Sequence, residues 1–160
     1  MHLPKKLLSA FLVCFIFVLT GCTDQSWSLK ADGASLSSGT YIYFLFESYQ
    51  DASGKVSSTN PQATDILAET IDEKNASDWI KDEAQKKCKN MIAVDKKFEE
   101  LGLSLSEEEL STAQSTTDSY WNRISKRFEE YGISKDSFHK AATLYPLKSQ
   151  KLFDFLYEKN

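Results

Sequence analysis

Apolar and polar positions change rhythm several times along the chain. Residues 7–19 form an apolar run of 13, interrupted only by Ser9. Residues 23–35 are polar with one tryptophan, Trp27. Residues 41–46, YIYFLF, place six apolar side chains in a row. From Ser77 onward apolar residues return every third or fourth position, the spacing that lines one face of an α-helix.

The elements follow from these rhythms and from the residues at their ends. Residues 27–30 read as a short extended piece and Asp32-Gly33 as a turn. An unbroken apolar run is compatible with a strand or a helix by period alone, so the flanks decide residues 41–46. Ser37 can cap a helix, with Leu36 and Tyr41 placed as a hydrophobic staple, and Gly54 reads as its end. Residues 53–64 then read as a loop, and residues 65–76 as a turn of helix followed by an extended stretch. A long helix is expected from an N-cap at Ser77 to a stop at Gly102, with Ile80, Ala84, Met91, Val94, Phe98 and Leu101 on one stripe and Cys88 and Ile92 beside it. Lys87 is the one polar residue in that series. The next helix opens on SLSEEEL: Ser106 caps, Glu109 completes a capping box, and Glu107 to Glu109 suit the positive end of the helix dipole. Its stripe is Leu110, Ala113, Thr117, Tyr120, Trp121, Ile124, Phe128 and Tyr131, closed by Gly132. A last helix starts at Ser134, and Pro146 inside it is expected to produce a kink. The expected fold is mainly α: about four helices, joined by short connections, with at most a short strand near the N-terminus.

Composition adds limits. The 160 residues carry 19 basic and 23 acidic side chains, a net charge of −4. Loss of residues 1–21 would remove two lysines and no acids, leaving −6. Charge alone therefore disfavours nucleic acid as a partner. Six glycines and three prolines are too few for an all-β chain or broad disorder. After loss of Cys14 with residues 1–21, Cys22 and Cys88 remain, and Cys88 in its helical phase reads as a small buried hydrophobe. His139 stands alone, without a second histidine or cysteine at metal spacing, so no metal, cofactor or catalytic residue is expected. Asn75-Ala76-Ser77 matches a glycosylation sequon and is read as coincidence. Aromatic residues crowd two segments, and the readings are core packing or a groove for apolar peptide segments. On the second reading Tyr41, Tyr43, Phe44, Phe46 and Trp121 are the candidate contacts.

The N-terminus carries the sharpest motif. Lys5 and Lys6 precede the apolar run, which is shorter than the roughly 20 residues a membrane-spanning helix needs. Small and polar residues follow at once, the layout of a secretory signal. The run ends on LTGC, Leu19 to Cys22, which resembles the lipobox of bacterial lipoproteins. That resemblance implies cleavage after Gly21 and a diacylglycerol on the Cys22 thiol, an anchor of two acyl chains that suffices for stable attachment. The expected organisation is a signal peptide at 1–21, an anchor and tether at 22–35, and a helical domain at 36–160. The expected location is the outer face of the bacterial cytoplasmic membrane.

A wider likeness rests on DWIKDEAQKKCKNMIAVDKKFEELGLSLSEEEL, YWNRISKRFEEYGISKDSFHK and KLFDFLY, with DGASLSSGTYIYFLF ahead of them. These stretches resemble the helical chaperone region of PrsA-type foldase lipoproteins, related to the SurA N-terminal domain. The resemblance implies a chaperone that holds unfolded or nascent secreted proteins, and it allows a homodimer. In that family a parvulin module supplies peptidyl-prolyl isomerase activity. These 160 residues hold no such module, so isomerase activity is expected only of a longer natural chain. A structural adaptor lipoprotein is the remaining alternative.

Overall fold

The computed structural model describes residues 28–31 and 34–158. The LTGC motif, Gly21, Cys22, Trp27 and the expected Asp32-Gly33 turn lie outside the described residues. Strands β1 (Ser28–Ala31) and β2 (Ala34–Ser37) pair antiparallel, Ser28 opposite Ser37 and Leu29 opposite Leu36. The extended piece expected at 27–30 is thus one arm of a hairpin.

Helix α1 (Ser38–Thr59) follows directly. Ser37 caps it as expected, its hydroxyl accepting from the Thr40 N–H at 3.2 Å. The helix does not stop at Gly54; it continues to Thr59, through half of the expected loop. The reason is a buried row at spacing four: Thr40, Phe44, Ser48, Ala52 and Val56. Ala52 and Val56 pack with Ile71, Ala76, Trp79 and Ile80. That tertiary burial outweighs the roughly 1 kcal/mol a mid-helix glycine costs.

A 3-10 turn (Ile66–Ala68) and a second hairpin, β3 (Thr70–Ile71) with β4 (Lys74–Asn75), occupy the segment read as a helical turn and an extended stretch. Asp72 and Glu73 make the hairpin turn with φ of 48° and 64°, a conformation usually left to glycine and asparagine. Asp72 is held there by Lys55, at 3.0 Å, and by the Trp79 indole N–H, also at 3.0 Å.

Helix α2 (Ala76–Glu100) is capped by Asn75 rather than Ser77, whose N–H instead donates to the Asn75 side chain at 2.9 Å. Gly102 closes it at φ 64°. Helix α3 (Glu107–Glu130) opens on the expected reciprocal box between Ser106 and Glu109. Ser134 caps α4 (Lys135–Phe138), which runs into a π-helical segment (His139–Leu144) and then α5 (Tyr145–Glu158). Pro146 thus follows a change of winding within the expected last helix. The Tyr145 N–H reaches back to the Lys140 carbonyl, one residue further than in an α-helix. Pro146 then falls in the first turn of α5, where a missing N–H costs least.

The fold is mainly α, built on four long helical stretches with the short hairpins at their margins. Helices α1 and α2 make the largest contact. The main core gathers Leu36 from β2, Tyr43 and Phe44 from α1, Ala84 and Cys88 from α2, Trp121 and Phe128 from α3, and Ile133 and Phe138 beyond it. Its rings meet edge-on: Tyr43 and Phe138 lie 5.6 Å apart at 79°, and Phe128 and Phe138 5.8 Å apart at 69°. No helix among the described residues is long and apolar enough to cross a membrane.

Candidate functional site

The aromatic residues named from the sequence divide by burial. Phe44 is 1 % exposed and Trp121 8 % exposed; both are core and offer a client almost nothing. Tyr43 is buried too, its hydroxyl donating to Glu47 Oε1 at 2.9 Å. Burial, reinforced by the Glu47 charge, holds the Tyr43 phenol far above its ordinary pKa. Tyr41 is half-buried against the main core. Phe46 alone of the five reaches the surface substantially, at 37 % exposure.

Phe46 belongs to a larger apolar surface. Tyr49, Leu67 and Tyr131 are exposed by 39 %, 48 % and 62 %. Together with Ile42, Leu45, Ile80 and Ile133 they line a shallow groove of about 370 Å³, whose polar neighbours among the described residues are Ser77 and Lys81. Three separate stretches build it: one face of α1, the start of α2 with the preceding 3-10 turn, and the α3–α4 connection.

A deeper cavity of about 640 Å³ lies on the other side of Phe46, between α1, α3 and the π-helical segment. Tyr43, Phe46, Tyr120, Ile124, Phe128, Phe138 and Ala142 supply apolar walls, and Thr116, Thr143, Arg123 and Arg127 the polar atoms. The ring of Phe46 stands 5.3 Å from that of Phe128.

Behind this cavity is a polar cluster that joins α3 to the π-helical segment. His139 Nδ1 lies 2.7 Å from Thr117 Oγ1 and 2.9 Å from Thr143 Oγ1. The Thr117 hydroxyl donates to the Ala113 carbonyl, and the Thr143 hydroxyl to the His139 carbonyl. The two hydroxyls also lie 3.0 Å from each other, so the three side chains form one closed hydrogen-bonded group whose proton placement follows the histidine tautomer. Burial lowers the His139 pKa below its ordinary value, against the raising effect of Asp136 and Asp118. The cluster explains why a histidine stands in this seam by packing and hydrogen bonding alone. Cys88 is fully buried and its thiol is pushed up to about 11, which keeps it protonated and unreactive.

Sequence reading found the α1 aromatics but not the two concavities, because each is assembled from distant stretches. One signal was available: Arg123 and Arg127 are the chain's only arginines, spaced i,i+4 on the face that also carries Tyr120. Comparison with known proteins finds no matching family model, no matching curated protein and no matching solved structure.

Proposed function

We propose that the chain is a membrane-anchored extracytoplasmic chaperone, a holdase for unfolded or nascent segments of secreted proteins. The observation that carries this reading is the groove around Phe46, Tyr49, Leu67 and Tyr131. Large apolar side chains are gathered at one exposed place, and such patches mark interaction sites. The groove is shallow and almost without polar groups, which suits many apolar segments and discriminates little among them. The LTGC motif supplies the other half of the reading. A diacylglycerol on Cys22 would hold the helical domain at the outer face of the cytoplasmic membrane and raise its concentration near emerging clients.

The test is aggregation of two unrelated unfolded proteins in the presence of the full-length chain. The chain is expected to slow both. The double variant Phe46→Ser/Tyr131→Ser, which changes exposed groove residues, is expected to lose most of that effect. No slowing by the unaltered chain would end the holdase reading. Intact mass of the membrane-extracted protein checks the anchor separately: the mass should include a diacylglycerol.

A further inference from the structure

We propose that the cavity between α1, α3 and the π-helical segment binds a small organic acid, a single carboxylate on a flat apolar body. Arg123 and Arg127, the only arginines in the chain, stand one turn apart on α3 and both line it. Their lack of acidic partners is unusual here. Most lysines with described side chains are paired with an acid, among them Lys87 with Asp51, Lys148 with Asp95 and Lys151 with Glu109. Neither arginine has a carboxylate within ion-pairing distance among the described residues, in a chain with an acidic excess. The Arg123 guanidinium lies over the Tyr120 ring, 5.0 Å from its centroid, and Tyr120 is itself part of the cavity wall.

The chemistry of the two halves selects the ligand. A guanidinium is weakly hydrated, and its planar fork matches a carboxylate with two parallel hydrogen bonds. Exposed ion pairs in water contribute little, about 0–1 kcal/mol, so the arginines alone would not retain an acid. Phe46 and Tyr120, both exposed, and the half-buried Ile124 supply the apolar body with a surface to cover, and covering it removes water from beside the guanidiniums. The volume of about 640 Å³ falls within the range of small-molecule sites. An inorganic anion would use the arginines and leave the rings uncovered; a neutral hydrocarbon would do the reverse. This assignment does not rest on the chaperone reading, which concerns the shallower groove. Phe46 lines both and is left out of the test.

The full-length chain, held in nanodiscs of zwitterionic phospholipid, is titrated calorimetrically with 1-naphthylacetate and with its uncharged isostere 1-naphthylacetamide. Empty nanodiscs serve as the blank. The acid is expected to bind at least ~10-fold more tightly than the amide, as charge-assisted hydrogen bonds predict. Raising the salt should shrink that margin. The double variant Arg123→Gln/Arg127→Gln, altering two exposed side chains, should abolish it. Equal binding of acid and amide, acid binding that survives the double variant, or binding of neither would overturn the proposal. Binding of acetyl-Leu-Phe through its free carboxylate without binding of naphthylacetate would overturn it too, and would assign the cavity to a peptide C-terminus.

Discussion

Ser48 sits at the centre of the α1 row with 0 % exposure, and its hydroxyl has no hydrogen-bond partner. A buried hydroxyl left unpaired costs about 1–3 kcal/mol, while an alanine methyl fits the same space. Ser48→Ala is therefore expected to raise the unfolding free energy by about 1 kcal/mol in urea titration; a loss of stability would mean that the hydroxyl has a role the packing does not reveal. Gly54 argues in the same direction for a different reason. It lies inside α1, and a Cβ built on it meets nothing within 4 Å. Gly54→Ala should stabilise by roughly 0.5–1 kcal/mol through helix propensity alone. Had the helix ended at this glycine in the left-handed conformation that Gly102 and Gly132 adopt, the same substitution would destabilise instead.

At the scale of elements, helix ends were legible because caps are local chemistry. Ser37, Ser106, Ser134 and Gly102 each do what their neighbours in sequence imply. The extent of α1 was not legible, since Ala52 and Val56 become core only when Ile71 and Trp79 arrive. Nor was the π-helical winding, which depends on Pro146 together with the polar seam to α3. That seam has a pH signature. His139 is harder to protonate folded than unfolded, so its contribution is complete above the ordinary value of 6.5 and declines as pH falls through it. The exposed carboxylates whose pKa is lowered, Asp72, Asp82, Glu109 and Asp118, act in a window starting near their own ordinary values, at or below 4.5. The thermal midpoint should therefore fall between pH 7 and pH 5 in the unaltered chain and change less in His139→Gln. Matching slopes for the two proteins would remove His139 from the account.

At the scale of the whole molecule, the mainly helical class was readable from periodicity, whereas the two concavities were not, because no single stretch contains one. Ile133 shows how far stability depends on this assembly. It is 1 % exposed, belongs to the main core, and comes from the short connection after α3. Ile133→Ala should cost about 2–5 kcal/mol, as large core truncations do, and lower the urea midpoint accordingly. The closure it takes part in also has a consequence in time. Ser37 and Ser137 share a hydrogen bond at 2.7 Å across 100 residues of sequence, and the rings that cover Tyr43 come from α3 and α4. Contacts of such high sequence separation carry a loop-closure entropy that purely local helix pairs avoid, and they slow folding. A polypeptide made from its N-terminus forms α1 early and must wait for residues near 138 before that helix has its full cover. The first long helix among the described residues is thus among the last to be enclosed.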